Sequence, residues 1–201
     1  MEPSIVSRQA THQDIDAILD TLVVAFADDP LWGGWAFPER ARADEQRRAF
    51  FALWLNGSLR YQTVHVTPGC EAVALWYPPG QFENTAEDER DLVATARAVL
   101  GAHADLFIEA CEVIEKVHPR HAPHYYLSML GTHARHRGRG LGMALLRDNL
   151  ARIDALGMPV YLDSTNPGNN PRYERLGFAR IGEYSLPAGG PMVTQMWRNP
   201  K

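Results

Sequence analysis

A chain of 201 residues, 45% hydrophobic and 22% charged, suits one folded domain spanning residues 1–201 with a sizeable core. Its formal net charge of -4 excludes a general polyanion binder, which needs a basic excess over a whole face, so no nucleic acid is expected as a partner. No window approaches the roughly 18 apolar residues of a membrane span, and the first residues lack a basic segment leading into an apolar run; no membrane partner and a cytoplasmic location are therefore expected.

In chain order, residues 4–11 read as a short alternating strand, and Thr11 with Asp14 forms a capping-box signature. Ile15, Ile18, Leu19, Leu22, Val23 and Phe26 follow at helical spacing. The loop ADDPLWGGWAFPER carries Asp28, Asp29, Trp32 and Trp35, and its indoles suit either a flap on the core or a pocket wall. A second helix is expected over residues 39–59, then two strands, TVHVT and EAVALWYPP. Residues 85–117 read as two helices broken near Gly101. HYYLSMLGT is the next strand; an arginine- and glycine-rich loop and a helix carrying Leu141, Leu145, Leu150, Ile153 and Leu156 follow it. MPVYLDST, a short helix over residues 170–176, GFARIGEYSL and PMVTQMWR complete the chain. The strand, loop, helix and strand around residue 140 form a βαβ unit, which favours a parallel pair and a ligand near the strands' C-terminal ends.

Cys70 and Cys111 stand apart without metal-ligand spacing and fit two reduced thiols. Pro119 and Pro123 keep His118, His121 and His124 off a common helical face, so no metal site is expected.

The segment HARHRGRGLGMALL places Arg137, Gly138, Arg139, Gly140, Leu141, Gly142 and Met143 between a strand and a helix. There the first helical amides lack acceptors and the helix dipole is positive, while the glycines admit positive φ and the arginines add charge, a combination that holds phosphate. The Lys followed by Ser or Thr of the nucleotide P-loop is absent, and the dinucleotide fingerprint fits poorly.

RGRGLG resembles the pyrophosphate motif of the GNAT superfamily of N-acetyltransferases: Arg or Gln, two residues, Gly, one residue, Gly or Ala, here Arg137, Gly140 and Gly142. About thirty residues on, STNPGNNPRYERLGF is similar to the family's later motif, an Asn-bearing loop followed by Tyr, Leu, Gly and Phe. The YERLGF ending is also similar to small antibiotic-modifying members such as puromycin acetyltransferase. The resemblance implies an α/β fold with a mixed central β-sheet flanked by helices, the helices of residues 85–117 forming an insertion before the phosphate-loop strand. It implies acetyl-CoA as the cofactor, its pantetheine arm on the backbone of Leu130, Gly131 and Thr132, and Asn166 or Asn169 reaching it. It implies Tyr173 as the acid that protonates the departing thiolate.

An alkylamine with a pKa near 10.4 is neutral in about one part in 10³ at pH 7, so deprotonation costs about 4.6 kcal/mol before attack. The family's usual Glu is replaced by Tyr126 in this alignment, which leaves Asp163 as the candidate base and His124 as a second candidate. Trp32, Trp35, Trp76, Tyr77 and Phe82 are candidates for an acceptor pocket, with Asp28 and Asp29 as partners for a cationic amine. The expected function is acyl transfer to a small-molecule amine by direct attack in a ternary complex, by a monomer or homodimer. Acylation of a protein lysine or N-terminus, or an idle acyl-CoA-binding sensor, are the alternatives.

Overall fold

The computed structural model describes residues 7–81 and 85–201. Its strands are β1 (Arg8–Gln9), β2 (Val64–Val66), β3 (Ala72–Tyr77), β4 (Tyr125–Thr132), β5 (Val160–Ser164), β6 (Ala179–Ser185) and β7 (Met192–Arg198). They form one mixed sheet in the order β1-β2-β3-β4-β5-β7-β6. Only β4 and β5 run parallel: a single helix, α5 (Leu141–Ala155), carries the chain back between them, whereas two successive helices join each of the antiparallel pairs β1–β2 and β3–β4.

One face of the sheet is covered by α1 (Ile15–Ala25), α2 (Ala43–Arg60), α3 (Ala86–Leu100) and α4 (Ala104–Val117), whose buried residues share a core with Val73, Leu75, Met129 and Val193. The opposite face packs on α5, where Leu145, Leu146, Leu150 and Ile153 meet Ala74, Trp76, Leu127 and Leu162. The capping box at Thr11 and Asp14 is present, although it opens a short 3₁₀ turn ahead of α1. The helices expected over residues 85–117 form as α3 and α4 with a 3₁₀ turn at Gly101–His103 between them.

Three sequence expectations are corrected. The Trp32 segment is not plain loop: Pro30–Trp35 winds into one π-helical turn, capped by Asp29, whose carboxylate accepts from the Leu31 and Trp32 amides at 2.9 and 3.0 Å. Leu156 lies just past α5 and is 62% exposed rather than on its buried stripe. Trp76 does not line an acceptor pocket. It is 2% exposed on the α5 face, and its indole N–H donates to Asn149 Oδ1 at 2.8 Å.

The centre of the sheet is irregular. Leu75 pairs with Met129 and Trp76 with Leu127, so Ser128 is an extra residue, a β-bulge in β4. On the other side β4 pairs with β5 only through Tyr125, Tyr126 and Leu127. Past the bulge the two strands part, and both cavities described below open at this gap.

Candidate active site

The first cavity, of about 570 Å³, opens at the C-terminal end of β4. Its walls are Leu130, Gly131 and Thr132 of β4, then Arg137, Gly138, Gly140, Leu141, Gly142 and Met143 of the loop and α5, and Asn166, Asn169 and Tyr173 beyond β5. Twelve of the thirteen residues expected at the cofactor are thus brought to one cavity. Arg139 is not; it is exposed, and its guanidinium lies 3.1 Å from His136 Nδ1.

This loop is shaped for an anion. Gly138 and Gly140 have φ of 77° and 75°, the left-handed region where a side chain is strained. Gly140 is the N-cap of α5 and brings no side chain to its amides, so the first turn faces the cavity uncapped. A Cβ on Gly142 would stand 2.5 Å from Thr132 Oγ1, which shows how closely α5 must approach β4. The Arg137 guanidinium donates to Ala25 O at 2.7 Å and lies 3.6 Å from Asp28, so it also ties the loop to the end of α1. Asn166 accepts from the Gly168 amide at 3.0 Å, and Asn169 accepts from Arg172 at 3.0 Å. A diphosphate and an extended amide arm fit these residues, the former on the uncapped turn, the latter along the unpaired edge of β4.

The Tyr173 ring packs edge-on against Phe178, with centroids 5.9 Å apart. Burial, reinforced by the nearby Asp29 charge, pushes its hydroxyl up to about 12, so it stays protonated at neutral pH. Asp29 is itself raised by burial, despite three hydrogen bonds, including one from Thr165 Oγ1 at 2.8 Å.

The second cavity, of about 520 Å³, adjoins the first along β4 and at that Asp29–Thr165 contact. The bulge residues Ser128 and Met129 form its floor with Asp163 and Tyr184; Leu31, Trp32 and Trp54 form one wall, and α3 and α4 the other. Trp32 meets Trp54 edge-on at 4.9 Å. The rim carries exposed Glu89, Glu112 and Glu115, the last paired with Arg120.

Asp163 is packed by protein on almost every side and exposed only towards this cavity. Tyr161 donates to its Oδ1 at 2.6 Å, and the Gln195 amide donates to Tyr161 at 3.0 Å. Burial outweighs these bonds and pushes the carboxyl up to about 7.

The remaining acceptor candidates are placed elsewhere. Asp28 is exposed on the first cavity, not the second, because the turn that aims Asp29 inward points its neighbour out. His124 lines a separate cavity of about 370 Å³ beside Trp197. Its Nδ1 donates to Ala122 O at 2.8 Å, so its Nε2 accepts from His118 Nε2 at 3.1 Å. Burial holds His118 down to about 4, which leaves both rings neutral near pH 7. Phe82 lies outside the described residues. Among the described residues no cluster suited to a metal ion occurs, and no helix is long and apolar enough to cross a membrane.

The sequence model of the acetyltransferase (GNAT) family matches residues 43–178. The chain belongs to this family. Similar solved structures include a histone acetyltransferase HPA2 and related acetyltransferase from Corynebacterium glutamicum, 28% identical with a TM-score of 0.73 over 99% of this chain and 98% of that one. An agmatine N-acetyltransferase is 21% identical with a TM-score of 0.64 over 98% of this chain and 100% of that one. The Drosophila melanogaster polyamine N-acetyltransferase is 20% identical with a TM-score of 0.65, over 97% and 99%. This GNAT acetyltransferase carries the glycine-rich loop of residues 137–142 inside the matched region, whereas Tyr184 and Gln195 lie beyond it.

Sequence reasoning missed Tyr161, Tyr184 and Gln195, which come from β5, β6 and β7. Each reads locally as an ordinary strand residue. Only the insertion of β7 between β5 and β6 gathers them around Asp163.

Proposed function

We propose that this enzyme transfers an acetyl group from acetyl-CoA to a small-molecule amine by direct attack in a ternary complex. The observation that carries this reading is the abutment of the two cavities at the parted β4 and β5, with Tyr173 on one side and Asp163 on the other. When bound, the donor supplies an activated acetyl thioester. The uncapped turn at Gly140 and Gly142 holds the diphosphate, and the edge of Leu130, Gly131 and Thr132 aligns the amide arm. Asp163 accepts the proton of the amine, and the Tyr173 hydroxyl gives one to the departing sulfur. The walls formed by Trp32, Trp54, α3 and α4 enclose a compact acceptor rather than a peptide groove. Similar folds named for agmatine and polyamines support a small amine.

The test is CoA release from acetyl-CoA against alkylamines, aralkylamines, diamines, aminoglycosides and lysine peptides. Turnover with one or more small amines and none with peptides is expected. CoA binding without turnover on any acceptor indicates a sensor instead.

Asp163→Asn separates the base from its surroundings. In the wild type, kcat/KM rises with pH through about 7 as the carboxyl ionises. The variant loses that limb and about 10² to 10⁴ in rate. Stability moves the other way. A carboxyl held above its unfolded pKa contributes stability fully below about pH 4, and this is lost as pH rises through 7, up to roughly 4 kcal/mol. Asp163→Asn therefore melts several degrees higher than wild type at pH 8, and the gap narrows at pH 5. Equal melting temperatures at pH 8 would show that the charge is not strained.

A further inference from the structure

We propose that the acceptor's amino group docks as an ammonium between Asp163 Oδ2 and the Tyr184 hydroxyl, which makes Tyr184 a substrate-binding residue and restricts acceptors to amines that carry at least two N–H bonds when protonated, on an apolar stem. This rests on the acetyltransferase reading above.

Two polar atoms in the wall of the second cavity, Asp163 Oδ2 and Tyr184 Oη, are buried with no hydrogen-bond partner. They face each other in a polar contact too loose for a regular hydrogen bond, yet close enough that the Tyr184 hydroxyl eases ionisation of Asp163 and the carboxylate holds the Tyr184 proton on. An orphaned buried polar atom is destabilising unless a ligand completes it, and here two stand side by side at a cavity floor. They come from β5 and β6, the strands flanking β7.

The other carboxylate oxygen is taken. Gln195 is anchored by donating to Val117 O at 3.0 Å, donates also to Tyr161, and Tyr161 donates to Asp163 Oδ1. Each step of that relay points its proton towards the carboxylate, so Oδ1 is satisfied and Oδ2 is the oxygen left without a hydrogen bond. Tyr161 and Gln195 are thus positioning residues.

The charge of the cavity selects a cation. Its acidic and basic wall residues are Glu89, Glu112, Glu115 and Asp163 against Arg120, which is paired with Glu115; Cys111, Tyr126 and Tyr184 also line it. The apolar side chains of Leu31, Trp32, Trp54, Leu92 and Ile108 accommodate a hydrocarbon stem. A primary or a secondary ammonium has two N–H bonds for the two oxygens; a tertiary one cannot fill both, and a quaternary one has none. When attack begins, one N–H bond breaks, its proton passes to Oδ2, and the electron pair left on nitrogen forms the bond to the acetyl carbon. The bond from that carbon to sulfur breaks, the sulfur takes the Tyr173 proton, and the second surplus proton on nitrogen passes to the Tyr173 phenolate, which leaves a neutral amide, a free thiol and Tyr173 protonated again.

The experiment uses 4-phenylbutylamine, 4-phenylbutanol and 4-phenylbutyl-trimethylammonium as probes, with a set of shorter and longer primary amines and their matching alcohols. Binding is measured by titration calorimetry at pH 8 without donor, and turnover by CoA release. Primary amines should bind at least tenfold tighter than the alcohol or the quaternary cation. Tyr184→Phe should raise Kd and KM for the amine about tenfold, leave CoA affinity unchanged, and move the midpoint of the pH–rate rise upward, since the hydroxyl helps ionise Asp163. Its melting temperature should not fall, because it removes an orphaned group. A Kd and KM within twofold of wild type in folded Tyr184→Phe, alcohols binding as tightly as amines, or no amine binding at all overturns the assignment. Amines that bind as described but release no CoA leave the subsite standing and defeat the acetyltransferase reading instead.

Discussion

Replacing Tyr173 by Phe lowers kcat by about 10² to 10⁴, roughly 3 to 5 kcal/mol of barrier, with CoA affinity and melting temperature near those of the wild type. The ring and its edge contact with Phe178 are kept, so the substitution isolates the hydroxyl. With its pKa near 12 that hydroxyl holds its proton across the physiological range. It is a weak acid against a thiolate in water, whose conjugate acid lies near 8.5, but a thiolate formed in the same enclosed site is made more basic by the same loss of solvent. Steady-state kinetics with chemistry rate-limiting is the check. A kcat within about threefold of wild type would mean that water or another group supplies the proton.

Gly140→Asp abolishes measurable CoA binding, a loss of at least about 10²-fold or 2.7 kcal/mol. Two effects act together. At φ 75° a β-carbon is strained, and the carboxylate faces the diphosphate at the mouth of α5. Gly140→Asn separates them, since it keeps the β-carbon at the same positive φ, where Asn and Asp are about equally tolerated, but carries no charge. Calorimetry should find CoA affinity reduced only modestly in the Asn variant and lost in the Asp variant, both folded by circular dichroism. Unchanged affinity in Gly140→Asp removes the phosphate-loop assignment.

The shape of the loop at residues 137–142, proposed above to hold the diphosphate, was readable from sequence because its determinants are local: glycines where φ is positive, and a helix starting at Leu141. The expected βαβ unit likewise follows from contiguous residues, and β4 and β5 are parallel. The acceptor side was less legible. AVALWY is buried on both faces, so no alternation of polarity tells which way Trp76 points; it follows Ala72 and Ala74 onto the α5 face, whose Leu145, Leu146 and Leu150 lie some seventy residues away. Asp28 and Asp29 are adjacent acids whose fates differ only through the π-helical turn that follows. Asp163 was singled out by its place at a strand end, but the atoms that hold one of its oxygens and leave the other bare come from strands with no motif between them.

The three-residue pairing between β4 and β5 also has a mechanical meaning. Among the described residues it is the only strand ladder joining β1 through β4 to β5, β7 and β6, so the sheet is two leaves on a short spine. A molecule lying in the gap touches both leaves and works as a cross-brace, resisting any change of the angle between them. Occupancy by CoA should therefore slow amide exchange along Leu130 and Thr132 and along Asp163 and Ser164 together, as one cooperative unit, while the far edge at β1 exchanges as before.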